Sequence, residues 1–168
     1  RRRQRQMCIR DRCKGLKTVI FVNGVGEMDN YLFNYCKNLK TVWWKGKVNR
    51  IGVQCFGATG LEQFCVNAKN IDSCAFIGCE DLKEIHIRSG VENLNMTAFA
   101  MLTGIETICL EGIDPDVMEA DWVNLQNSTV TILVPEDTTD EQLQLVTQKF
   151  ASAYITVSYT HLTLPTTE

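Results

Sequence analysis

Apolar residues recur along this chain in the pattern L-x-x-Φ-x-Φ, where Φ is apolar, and each copy predicts a short strand. The copies are Leu16, Val19, Phe21, then Leu39, Val42, Trp44, then Leu61, Phe64, Val66, then Leu82, Ile85, Ile87, then Ile105, Ile108, Leu110. A weaker copy ends the series at Ile132 and Val134. The opening residues stand 23, 22, 21 and 23 positions apart. Within each copy the alternation turns one side of a strand inward and the other outward. Further apolar positions follow at a fixed offset: Val25 and Met28, Val48 and Ile51, Ile71, Val91 and Leu94. Then a pair ending in Phe returns as Leu32-Phe33, Cys55-Phe56, Ala75-Phe76 and Ala98-Phe99. These four rings are expected to stack as a ladder inside the coil. Three residues beyond each Phe stands Cys36, Thr59, Cys79 or Leu102, just ahead of the next unit.

A unit of this length cannot bury its apolar face alone, whereas stacked units share one continuous core. The strands should therefore lie side by side in parallel, about 4.8 Å apart. A sheet with crossover helices would need about a dozen helical residues between strands. Gly24, Gly46, Gly57 and Gly90 interrupt those intervals and leave too little room. After Leu110 the period loosens. Asp114-Pro115-Asp116 marks a turn, and residues 117–125 fill the place of a unit's outer segment. A last strand over 129–134 is closed by Pro135. Thr138-x-x-Glu141 has the spacing of a capping box ahead of Leu143, Leu145 and Val146, and predicts a helix from about 139 to 150. A short strand around Tyr154 and Ile155 completes a strand-helix-strand cap, as the open end of a solenoid requires.

The two ends of the chain carry no apolar period, and they are related through their codons. Permissible codings of residues 2–12 and of residues 157–166 are reverse complements of each other. Both resemble the transposase adapter used in sequencing libraries, read through in frame. The expected organisation is adapter-derived sequence at 1–12 and 157–168, a repeat region of about five to six units at 13–134, and a cap at 135–156. Cys13-Lys14-Gly15-Leu16 already matches the C-x-x-L junction seen at Cys36 and Cys79, so the repeats are expected to begin inside a unit. Six of the 17 basic and two of the 20 acidic residues lie in the end stretches, which moves the net charge from −3 to −7 (11 minus 18). An acidic surface gives no electrostatic reason to bind nucleic acid. No run approaches the roughly 18 apolar residues of a membrane span.

The units resemble the BspA-like leucine-rich repeats, written approximately I-x-x-x-A-F-x-x-C-x-x-L-x-x-I-x-I. Residues 71–87, IDSCAFIGCEDLKEIHI, carry the resemblance most fully, and it extends over residues 13 to about 110. It implies an α/β leucine-rich repeat solenoid, with short parallel strands stacked into one sheet. It also implies a fragment of a bacterial cell-surface or secreted protein that adheres to host matrix proteins or to other cells. Two alternatives stand beside that expectation. One is an intracellular (cytoplasmic) interaction scaffold; the other is a repeat region joined to an enzyme whose catalytic domain lies elsewhere.

Chemistry-bearing residues change this picture little. Cys13, Cys36 and Cys79 hold the same inward position of their units and are expected to behave as small buried hydrophobes. A metal reading of Cys74 and Cys79 with His86 has C-x4-C spacing without a second pair, so no metal site and no cofactor is expected. Glu84 shares a strand face with His86, and Cys65 and Cys109 fall on the adjacent strands, which makes a Cys–His pair geometrically conceivable. No nucleophile motif surrounds either cysteine, so no catalytic residue is assigned. The outward strand positions are the expected binding face for a protein partner. They run from Ile20 through Trp43, Lys45 and Gln63 to Glu84, His86 and Arg88. Trp43 is the expected anchor, because exposed aromatics on rigid surfaces favour binding.

Overall fold

The computed structural model describes residues 13–95, 97–112, 130–149 and 154–157. The expectations for residues 1–12, for the turn at 114–116, for the outer segment at 117–125 and for residues beyond 157 lie outside the described residues. A 3-10 turn at Cys13–Gly15 leads into β1 (Thr18–Phe21). Then follow β2 (Glu27–Met28), β3 (Thr41–Trp44), β4 (Val48–Ile51), β5 (Gln63–Val66) and β6 (Ala68–Ile71). Next come β7 (Glu84–Ile87), β8 (Asn93–Leu94), β9 (Thr107–Leu110) and β10 (Thr131–Val134). The helix α1 (Asp140–Lys149) and β11 (Tyr154–Val157) close the order.

Every strand pairing is parallel among the described residues, as stacked solenoid turns demand. The arrangement differs from a single sheet. One face holds the pair β1-β3 and the ladder β5-β7-β9-β10-β11; a second face holds β2-β4-β6-β8. The second face follows from the fixed offset of Met28, Ile51, Ile71 and Leu94, which brings those backbones into register. Between β3 and β5 the contact passes through side chains. The Trp44 and Phe64 rings lie 5.6 Å apart, and Asn67 Nδ2 donates to the Gly46 carbonyl at 2.9 Å. Among the described residues the connections between repeat strands are turns and loops, and the one α-helix described lies in the cap.

Inward positions form one core. Phe64, Val66, Ile85, Ile87, Ile108, Leu110, Ile132 and Val134 are all buried. The expected ring ladder is present: Phe33–Phe56, Phe56–Phe76 and Phe76–Phe99 stack at 5.4, 5.4 and 5.2 Å. Cys36, Cys55 and Cys79 are fully buried and free. Burial pushes the Cys55 thiol up to about 12 and raises Cys36 and Cys79 as well. These are inert core thiols.

The corners after the phenylalanines use left-handed backbone at Tyr35, Ala58, Gly78 and Met101, with φ between 52° and 67°. Only one of the four is glycine, so the other three bear a cost of about 1–2 kcal/mol each. Neighbouring turns hold them there through main-chain bonds such as Tyr35 N–H to Gly57 O and Ala58 N–H to Ile77 O, both 2.8 Å. Close stacking has a second signature. A Cβ on Gly60 would stand 2.2 Å from the Lys37 carbonyl oxygen.

The cap has the expected strand-helix-strand order, with one change at the helix start. The reciprocal box is made by Thr139 and Gln142: Gln142 N–H donates to Thr139 Oγ1 at 3.2 Å, and Thr139 N–H to Gln142 Oε1 at 3.0 Å. Thr138, the expected cap, instead donates its hydroxyl to the Pro135 carbonyl at 2.6 Å. Val146 is buried, and Leu143 and Leu145 pack on the core beside it. β11 extends through Val157, which pairs with Val134.

Candidate functional site

Strand alternation fixes which side chains leave the outer side of the first face, and cross-strand register sorts them into rows. Ile20 pairs with Trp43 across β1 and β3. Gln63, Glu84 and Thr107 form a row across β5, β7 and β9, and Cys65, His86 and Cys109 form the next. Exposure separates the two groups. Ile20, Val22 and Trp43 are 58%, 74% and 40% exposed, with Lys45 and Gln63 also open to solvent. His86 and Cys109 are 4% and 2% exposed.

The outward, accessible histidine expected from the sequence is therefore a buried one. Its two companions are also engaged within the protein. His86 Nε2 bonds Glu84 Oε1, and Arg88 Nη1 pairs with Glu111 Oε1 at 2.7 Å. Arg88 Nε also donates to Cys65 Sγ at 3.2 Å. Alternation names the side of the strand but not what a polar neighbour in register will do. Here Glu84 bonds His86, and Arg88 bonds Glu111 and Cys65. Of the seven residues expected on the binding face, Ile20, Trp43, Lys45 and Gln63 face solvent, while Glu84, His86 and Arg88 are held in bonds within the protein.

Those rows hold the densest chemistry among the described residues. The ligating atoms of Glu84, His86 and Cys109 lie within 4.8 Å of one another. His86 Nδ1 is buried without a hydrogen-bond partner. Burial, then the Glu84 and Glu111 carboxylates, push the Cys109 thiol up to about 11. A nucleophilic cysteine needs the opposite shift, so this Cys–His pair lacks an activated thiolate. Cys74 and Cys79 lie apart from it. Cys79 Sγ donates to the Phe56 carbonyl at 3.0 Å, and Cys74 Sγ contacts Thr97 Oγ1 at 3.7 Å.

The second face carries a polar groove of about 610 Å³, lined by Arg50, Asn70, Asp72, Glu92, Asn93 and Asn95 among others. Arg50 Nη2 pairs with Asp72 Oδ2 at 2.5 Å and donates to Asn30 Oδ1 at 2.7 Å. Asn93 Nδ2 reaches Asn70 Oδ1 at 2.6 Å. The readable signal for this groove was the polar residue just ahead of Ile51, Ile71 and Leu94 in successive units.

With that geometry in hand, known proteins offer two points of comparison. A family model described as "BspA type Leucine rich repeat region" matches residues 8–106 in six copies. The crystal structure of the pneumococcal vaccine antigen PcpA is similar in fold, with a TM-score of 0.55 at 15% sequence identity. The match covers 82% of this chain and 42% of that one, so the present chain spans less than half of its structural neighbour. No curated protein matches the chain by sequence.

Proposed function

Since this chain belongs to the BspA-type leucine-rich repeat family, we propose that it is a non-enzymatic scaffold that binds another protein through the Ile20–Trp43 end of its outer face. One observation carries the reading. Ile20, Val22 and Trp43 stay solvent-exposed on and beside the parallel pair β1-β3, although every inward apolar side chain of β5, β7, β9 and β10 is buried. Exposed aromatic and aliphatic groups on a preformed surface desolvate at small entropic cost, which is how binding hot spots work. Lys45 and Gln63 supply a polar rim.

The setting proposed is a bacterial cell surface or the secreted space, with host matrix or another cell as partner. The family resemblance supports this, and so does the fold shared with a vaccine antigen. A second reading, an intracellular scaffold, is favoured by the free state of all seven described cysteines, which suits a reducing environment. No described helix is long and apolar enough to cross a membrane.

The test compares the chain with Trp43→Ala for binding to immobilised extracellular-matrix proteins and to whole cells, with circular dichroism and melting followed in parallel. Unchanged folding with affinity weakened about tenfold, or ~1.4 kcal/mol, is expected. Matrix and cell binding that is equal in both proteins would overturn the assignment of the face. Unfolding of the variant would place Trp43 in the core.

A further inference from the structure

We propose that Glu84, His86 and Cys109 form a mononuclear site for a divalent transition metal of borderline softness, zinc above all, with solvent completing the coordination shell. The reading does not depend on the binding face at Ile20 and Trp43, which lies on different strands.

Topology assembles the three ligands. Glu84 and His86 are two apart on β7 and so leave the same side of the strand. Cys109 on β9 is the direct register partner of His86. Their ligating atoms already lie within 4.8 Å of one another, so only small side-chain adjustments are needed to close around one ion. One carboxylate oxygen, one imidazole nitrogen and one thiolate sulfur make a mixed donor set. Hard cations such as calcium and magnesium want oxygen alone, whereas zinc accepts all three donors.

The second observation is the histidine itself. His86 is 96% buried by its 4% exposure, it meets Glu84 through Nε2, and its Nδ1 has no partner. Buried polar atoms are almost always satisfied. Nε2, the nitrogen beside Glu84 Oε1, is the one that can share an ion with that carboxylate, and the partnerless Nδ1 leaves the ring's second nitrogen unengaged by any described group. Charge favours the ion as well. Glu84 and a Cys109 thiolate together neutralise a divalent cation, and the Arg88 guanidinium is occupied by Glu111 and Cys65. Binding converts the Cys109 thiol to a metal thiolate and releases its proton to solvent, with no change of oxidation state. The Glu84 side chain is 39% exposed and forms the entry to an otherwise buried pair. Three protein ligands leave the fourth position of a tetrahedral zinc ion to solvent.

The full chain, stripped with a chelator, would be titrated with cobalt(II) and then with zinc(II). The expected result is a saturable 1:1 complex with a thiolate-to-cobalt charge-transfer band that zinc displaces. X-ray absorption of the zinc form should then show one sulfur among nitrogen and oxygen ligands. Cys109→Ser should abolish the band, and Glu84→Gln should weaken cobalt binding by about tenfold or more. No saturable band in the native chain would overturn the proposal. So would a band that survives Cys109→Ser, two or more sulfur ligands at zinc, or unaltered affinity in Glu84→Gln. If Cys109→Ser does not fold, Glu84→Gln and the sulfur count decide.

Discussion

The two ends of the outer face are built from the same repeat unit and have opposite characters. At β1 and β3 the outward pair is Ile20 and Trp43, apolar and open to solvent. At β7 and β9 it is His86 and Cys109, polar and closed off. Beneath both runs the same ring ladder, with centroid spacings of 5.2–5.4 Å. The inner side must be uniform, because each unit buries its apolar face on the next. The outer side is released from that demand and can diversify along one molecule. One end leaves apolar area open to solvent, and the other sets most of its polar groups against each other.

The comparison breaks first at what the two ends share. Phe76→Ala removes a fully buried ring stacked on both neighbours, and should cost about 3–5 kcal/mol in chemical denaturation. Phe33→Ala should cost less, since Phe33 is at the end of the described ring stack and slightly exposed. Equal losses would mean that the ladder is less continuous than its geometry. At the polar end, Arg88→Met strands the Glu111 carboxylate and removes the bond to Cys65. The groups are about one-third exposed, so a loss of about 1–2 kcal/mol is expected, measured as a lower melting temperature. At the apolar end, Ile20→Thr should move stability by no more than about 0.5 kcal/mol, because its side chain already faces water. A large loss there would show that Ile20 is packed in solution and that the contrast between the ends is false.

Much of the fold could be read from residue types alone. The L-x-x-Φ-x-Φ spacing located β1, β3, β5, β7, β9 and β10, and the Phe positions located the ladder. The second face was harder to see, since β2 and β8 are two residues long and too short to show alternation. The left-handed corners were hidden for another reason: Tyr35, Ala58 and Met101 hold a conformation that composition assigns to glycine. At the candidate site the sequence placed Glu84, His86, Cys65 and Cys109 as neighbours, and it predicted an accessible histidine. Register confirmed the neighbours, and burial reversed the exposure.

The sequence by itself determined the repeat period, the inward side of each strand and the stacked core. These are one-dimensional quantities, fixed by the spacing of apolar residues along the chain. Tertiary structure alone decided the fate of the outward side chains. Whether a polar group meets water or a neighbour depends largely on residues of the adjacent turns, 23 positions away for Cys65 and Arg88, which stacking brings within bonding distance. That is why Trp43 remained a surface residue, and why His86, on the same side of the same solenoid, became a buried one facing Glu84 and Cys109.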